Sequence, residues 1–193
     1  MQNAMELAPL FLEVDLGEVS AILEQSHWLG IRMSNLLNAF TMPLETPDIN
    51  IVDHIRGIAE ESERTHKNLR MEINSEKDVE KKVFTANRLL PLVWTNIFRN
   101  ATQYAGSNPL VTVDISLYKQ NFEIRITNNG PGISPEKREM LFIRDSNSGI
   151  DERGMGLYLS RVILGSQGGS IELFDGPETQ FIIRIPFTYE IEE

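Results

Sequence analysis

Two asparagines four residues apart stand in the stretch Asn96-Ile-Phe-Arg-Asn100-Ala-Thr-Gln-Tyr104, whose patterning predicts a helix. At that spacing they share one helix face, one turn above the other. A side-chain amide oxygen is a hard, neutral donor of the kind Mg²⁺ accepts, with substrate phosphates and waters completing its shell. Taken alone, such a pair is more often an ordinary polar face. A second segment, Asn128-Asn-Gly130-Pro-Gly132-Ile133, directly follows a strand pattern. Its glycines lack Cβ atoms and let backbone approach a ligand closely, and Asn128 could hydrogen-bond a base edge; a plain glycine turn is the alternative. A third segment, Gly154-Met155-Gly156-Leu157, opens a predicted helix. Backbone N–H groups freed there can face an anion at the positive end of the helix dipole, the alternative being a flexible helix entry. Neither the P-loop spacing with its Gly-Lys-Ser/Thr nor a dinucleotide fingerprint is present.

The elements that must position these segments can be read from periodicity. Leu16, Val19, Leu23, Ser26, Gly30, Met33, Leu37 and Phe40 recur in alternating steps of three and four, a heptad seam over 16–40, and Ile22, Leu29 and Leu36 widen it toward a helical bundle. Thr41 to Asp48, with two prolines, breaks that helix. Beyond it, Ile51 to His66 predicts a helix, Leu69–Ile73 and Val83–Thr85 strands, and Asn87 an N-cap for a helix reaching Tyr104 with Pro91 in its first turn. Leu110–Tyr118 and Phe122–Thr127 alternate strongly around the turn Lys119-Gln-Asn121. Helical signals at 135–142 and 155–166 precede two closing strands, 170–174 and 181–187, around Asp175-Gly-Pro. Hairpins next to helices imply a mixed sheet with helices on one face, a two-layer α/β sandwich. The expected division is a helical segment over 1–44 and a larger domain over 45–193.

Composition narrows the function classes. The chain has 193 residues, 41% hydrophobic and 24% charged, with net charge −10 and no cysteine. Disulfides, thiolate metal sites and a cysteine nucleophile are excluded. The acidity and the lack of a basic stripe argue against nucleic acid as a partner. A polyanion would need a local cradle of backbone amides and a metal ion. No apolar run approaches a membrane span, and no basic segment leads into an apolar one at the N-terminus, so the chain is expected to be cytoplasmic, or the cytoplasmic part of a membrane-anchored protein.

In this order and context, the three segments over Ile49 to Pro186 resemble the Bergerat ATP-binding fold, shared by gyrase-type ATPases, large heat-shock chaperones, mismatch-repair ATPases and histidine kinases. The finer texture looks like a sensor histidine kinase: Leu89 to Tyr104 resembles the N box, Asn128 to Ile133 the G1 box, Leu141-Phe142 the F box and Gly154 to Leu157 the G2 box. The resemblance implies ATP and Mg²⁺ as ligands. It implies that Asn100 ligates the metal, that Tyr104 lies against the nucleotide, that Gly130, Gly132 and Ile133 line the adenine pocket with Asn128 at the base edge, and that Gly154, Met155, Gly156 and Leu157 cradle the phosphates. The stretch from Ser134 to Arg153 would be a mobile lid, with Arg144 and Arg153 meeting the γ-phosphate. Asn96 stands where hydrolases of the superfamily usually carry a glutamate. An amide is no general base, which favours phosphoryl transfer to a protein over hydrolysis.

Departures from the family accompany the match. Asn128 stands where an aspartate is common, which implies weaker affinity, and Gln103 where a basic residue is frequent. The G2 segment is short on its N-terminal side. No segment resembles the acceptor motif His-Glu-Leu-Arg-Thr-Pro; Ser26-His27-Trp28-Leu29 begins like it and then diverges. By position, 16–40 looks like the second helix of a dimerising hairpin, which implies a homodimer, with the acceptor histidine outside this chain and a response regulator as downstream partner. His27, His54 and His66 are read as helix residues. A non-catalytic nucleotide-binding scaffold and a serine kinase of the anti-sigma-factor type are the alternatives.

Overall fold

The computed structural model describes residue 30 and residues 47–134, 138, 141–142, 155–174, 176 and 178–187. The chain divides into two units, Met1–Leu44 and Glu45–Glu193, and all the described residues except the helical, exposed Gly30 belong to the second. The heptad helix read at 16–40 therefore lies outside the described residues, apart from Gly30.

The alternating runs form a five-stranded mixed sheet of β2 (Arg70–Ser75), β4 (Leu110–Tyr118), β5 (Asn121–Asn128), β6 (Ser170–Leu173) and β7 (Thr179–Pro186). Its order is β2-β4-β5-β7-β6. The β2–β4 pair is parallel and the others antiparallel. Register aligns the inward residues in rows. Val113, Ile126, Phe181 and Leu173 form one row, and Ile115, Ile124, Ile183 and Ile171 the next. Same-face cross-strand pairs of this kind hold a sheet in register, because a one-residue slip would turn every apolar side chain to water.

Three helices cover that face. Helix α1 (Ile51–Thr65) starts at Asn50, whose Oδ1 accepts from Val52 N at 2.9 Å and Asp53 N at 3.1 Å, satisfying two of the donors a helix start leaves open. It buries Ile51, Ile55 and Ala59, spaced by four. Helix α2 (Leu90–Tyr104) buries a wide face, including Leu90, Trp94, Ile97 and Phe98, while Pro91, Thr95, Arg99 and Thr102 along the opposite stripe are exposed or half-buried. A broad apolar face of this kind belongs against a core, and α2 lies between α1, the strands β4 and β5, and helix α3 (Met155–Ser166). The two-layer α/β sandwich is thus the observed architecture. Among the described residues no helix is long and apolar enough to cross a membrane.

Some local expectations change. A short strand β1 (Asp48–Asn50) pairs antiparallel with β3 (Val83–Thr85), so Asp48 ends the proline-rich segment inside a two-stranded ribbon. Asn87 is not the N-cap of α2. Its Oδ1 accepts from Leu89 N at 2.8 Å in a turn one step earlier, while its Nδ2 donates to Ser166 Oγ and its backbone N–H to Gln167 Oε1, each at 2.9 Å. The residue joins the approach to α2 to the end of α3, a long-range role that local patterning does not carry. Of the helix read at 135–142, Arg138 is helical, Leu141 and Phe142 lie in a turn, and the rest falls outside the described residues.

Candidate functional site

The rows of the sheet change character at one end. The row that begins at Val111 continues through Asn128 and Thr179, so two polar side chains occupy inward positions that are apolar everywhere else in β5 and β7. They face a cavity of about 270 Å³. Helix α2 contributes Asn100, Ala101 and Tyr104, the turn after β5 contributes Pro131 to Ser134, and Leu157 enters from the first turn of α3. Leu141 and Phe181 close the wall. Phe142 packs edge-on against Phe181 at 6.5 Å between ring centres.

Each polar group has a distinct state. Asn128 is 2% exposed, and its Nδ2 is buried without a hydrogen-bond partner. A buried amide left unpaired costs about 1–3 kcal/mol, so Asn128, which also lines the cavity, is a side chain there whose bonding is incomplete. Thr179 donates its hydroxyl to Pro131 O at 3.1 Å, tying β7 to the turn. Asn100 is 7% exposed and lines the cavity, and among the described residues nothing bonds its amide. Asn129, beside Asn128, faces the other way: its Oδ1 accepts from Leu110 N at 2.9 Å and its Nδ2 donates to Asn108 O at 3.1 Å. It fixes the strand end, leaving Asn128 to face the cavity.

Gly130 is packed where no side chain fits. A Cβ there would lie 2.7 Å from Asn128 Nδ2 and 2.8 Å from the Tyr104 carbonyl carbon. The turn and the end of α2 therefore meet backbone to backbone. Asn96, fully buried on α2, does not line the cavity. Its Nδ2 donates to Gly156 O at 3.3 Å and reaches Ser160 Oγ at 3.5 Å, and Ser160 Oγ donates to the same carbonyl at 2.9 Å. It holds the first turn of α3 against α2. Asparagines one turn apart thus have different neighbours, Asn96 the helix α3 and Asn100 the cavity.

The structure brings Asn100, Tyr104, Asn128, Gly132, Ile133 and Leu157 together around one cavity, with Gly130 beneath Asn128 and Gly156 beside Asn96. Met155 begins α3. Gly154, Arg144 and Arg153 lie outside the described residues. Sequence reasoning missed Thr179 as a site residue, although it shares the inward phase of Phe181, Ile183 and Ile185. It also missed Arg138, whose Nε donates to Ile133 O at 2.7 Å and whose Nη2 donates to Gly176 O at 3.2 Å. That arginine clamps the cavity rim to the β6–β7 connection. Among the described residues no group of three or more His, Cys, Asp or Glu could hold a metal. A cation here would depend on Asn100 and on oxygens brought by a ligand.

The geometry has counterparts. The model of a family described as histidine kinase-, DNA gyrase B- and HSP90-like ATPases matches residues 85–189. The sensor protein KdpD of Escherichia coli (strain K12) is 29% identical over 101 residues, 50% of this chain and 11% of KdpD. The swarming motility regulation sensor protein RssA of Serratia marcescens is 28% identical over 185 residues, 90% of this chain and 39% of RssA. The crystal structure of histidine kinase ThkA in complex with response regulator protein TrrA is similar in fold, with a TM-score of 0.68 at 21% identity over 92% of this chain and 52% of that one. The chain spans well under half the length of these curated relatives.

Proposed function

The chain belongs to the family of histidine kinase-, DNA gyrase B- and HSP90-like ATPases, with the mixed sheet and flanking helices of the Bergerat ATP-binding fold, and we propose that within it the chain is the ATP- and Mg²⁺-binding catalytic domain of a sensor histidine kinase. The observation that carries this reading is the unpaired Asn128 amide on the wall of an otherwise largely apolar cavity beside the start of α3. A cavity of about 270 Å³ lies just below the roughly 300–1,000 Å³ that enclose a whole drug-sized ligand. It suits a nucleobase, with the phosphates reaching outward toward Asn100 and the α3 N-terminus.

In this reading Asn128 meets the base edge, Gly130, Gly132 and Ile133 shape the base pocket, and Tyr104, half exposed at the end of α2, lies along the nucleotide. Gly154, Met155, Gly156 and Leu157 present the start of α3 to the phosphates, where backbone N–H groups and the helix dipole favour negative charge. Asn100 would supply the protein oxygen for Mg²⁺, and Arg144 and Arg153 would meet the γ-phosphate. When bound, the metal would neutralise charge on the phosphates. Asn96 is a positioning residue: its amide cannot take a proton from water, and it holds the glycine-led turn in place through Gly156. Such a site positions and neutralises, which suits phosphoryl transfer to a protein side chain. The acceptor is a histidine outside this chain, the response regulator is the onward partner, the compartment is the cytoplasm, and residues 16–40 pair with a second copy. A strictly monomeric mass at high protein concentration would remove the pairing.

Calorimetric titration with a non-hydrolysable ATP analogue tests the site, first with Mg²⁺ and then with excess chelator. The expected result is a Kd of about micromolar that weakens without the metal, and loss of that metal dependence in Asn100→Ala. No heat of binding from folded protein in either condition would sink the reading in favour of a non-catalytic scaffold.

A further inference from the structure

The side chains that line the cavity share a chemical property. Among the described residues none is charged, and every polar one, Asn100, Tyr104, Asn128, Ser134 and Thr179, is an amide or a hydroxyl. Such groups both donate and accept hydrogen bonds, whereas a carboxylate only accepts and an ammonium or guanidinium only donates. The hydroxyls can rotate to suit a ligand, and that of Thr179 already donates to Pro131 O, leaving its lone pairs to accept. Nothing in this lining commits the cavity to one hydrogen-bonding pattern.

Asn128 is the decisive group, being almost fully buried on the cavity wall. Among the described residues its Nδ2 has no partner and nothing bonds its Oδ1, so no hydrogen bond from them fixes which way the amide plane is turned. A half-turn about the last side-chain bond exchanges oxygen and nitrogen at nearly unchanged shape. In one setting the amide position that faces the cavity offers an acceptor to the 6-amino group of adenine. In the other it offers a donor to the 6-oxo group of guanine or hypoxanthine. A carboxylate at the same place could accept from the amino group and would set lone pair against lone pair on the oxo group.

Resting on the proposed nucleotide site, we infer that this pocket accepts 6-oxopurine nucleotides as well as adenine nucleotides, with the Asn128 amide as the reader of both. The inference concerns base selectivity alone and does not depend on which protein receives the phosphate.

The test titrates the full chain with ADP and with inosine diphosphate in Mg²⁺, two ligands that differ only at position 6 and in the N1 proton. The two Kd values are expected to fall within about tenfold of each other, less than one well-formed base contact can discriminate. Inosine diphosphate binding more than tenfold more weakly would overturn the inference while leaving the ATP-binding reading in place. If neither nucleotide binds to folded protein, both readings fall. Asn128→Asp should raise the preference for ADP about tenfold or more, and an unchanged ratio would remove Asn128 as the reader. Should that buried carboxylate prevent folding, Asn128→Ala carries the assignment: both ligands should weaken by similar factors, and loss of only one, or of neither, would overturn it.

Discussion

Gly130 is required by space rather than by backbone freedom, since a Cβ would press on the Tyr104 carbonyl and on Asn128 Nδ2 at 2.7 Å. Neither the backbone of α2 nor a buried amide yields easily. Gly130→Ala should therefore destabilise the domain by about 1–3 kcal/mol, as overpacking does elsewhere, and weaken ADP binding by displacing Asn128. Thermal melts with and without ADP check both effects, and unchanged values would mean that the turn does not hold α2 as described. On the other face of the sheet, Glu123 is 3% exposed and lies between Arg125 and Arg184, each donating at 2.8 Å. Burial alone would raise its pKa, but the hydrogen bonds and charges of the two arginines override it and hold the carboxyl below the ordinary carboxylate range. A folded pKa below the unfolded one contributes stability that is complete above the unfolded value and lost as pH falls through the folded one. His54 acts in the same direction at higher pH: burial lowers its pKa, so protonation of the unfolded chain begins to favour unfolding once pH falls through the ordinary histidine range. Midpoints of thermal unfolding should thus drop in two stages on acidification, and Glu123→Gln should flatten the lower stage. A variant that keeps the full lower stage would assign it to other carboxylates.

Between elements, the cavity rim depends on Arg138, which joins the Ile133 carbonyl after β5 to the Gly176 carbonyl before β7. A charged donor makes the stronger kind of hydrogen bond, and at this part-buried rim the two bonds hold the shape of the cavity mouth rather than the core. Arg138→Ala should lower nucleotide affinity about tenfold with a smaller effect on melting, because the sheet rows do not pass through it. An affinity equal to that of the unmodified chain would mean that the rim holds its shape without the clamp. Arg138 also illustrates what local patterning can and cannot reveal. The strands β4 to β7 were legible because strict alternation has one meaning when one face is buried, and α2 because its apolar residues recur with a helical period. Asn100, Asn128 and the G1 glycines were legible as a set because their order along the chain carries the information. Thr179 was missed because a threonine in phase with a strand's inward residues looks like any β-branched core residue until the row is seen to end in a cavity. The Arg138 clamp, the long-range bonds of Asn87 and the pairing of β1 with β3 were missed for a shared reason, although β3 itself was read as a strand. Their partners are distant in sequence, and a carbonyl acceptor leaves no mark on composition.

For the whole molecule, the central matter is what receives a phosphoryl group. The sequence contains three histidines. His54 sits on α1 with Nε2 buried, so that nitrogen is closed to an in-line donor unless the helix moves. His66 caps the end of the same helix, its Nδ1 within 3.1 Å of Ser62 O. His27 lies outside the described residues and in a segment that departs from the acceptor motif directly after the histidine, where Trp28 stands in place of the acid. The curated relatives are much longer than this chain, which leaves room in such proteins for an acceptor on a different segment. Incubated with γ-labelled ATP and Mg²⁺, this chain alone should therefore bind nucleotide yet acquire no acid-labile phosphate. Acid-labile label that His27→Gln abolishes would place the acceptor on this chain and overturn the reading of 16–40 as a second hairpin helix. Acid-stable label would instead move the protein toward a serine kinase, because phosphoserine survives acid and phosphohistidine does not. Asn96 gives the same experiment a second readout. With an amide where a water-activating base would be needed, release of free phosphate should stay near the uncatalysed background, and steady turnover of ATP by the isolated chain would show that the proton is taken by some other group.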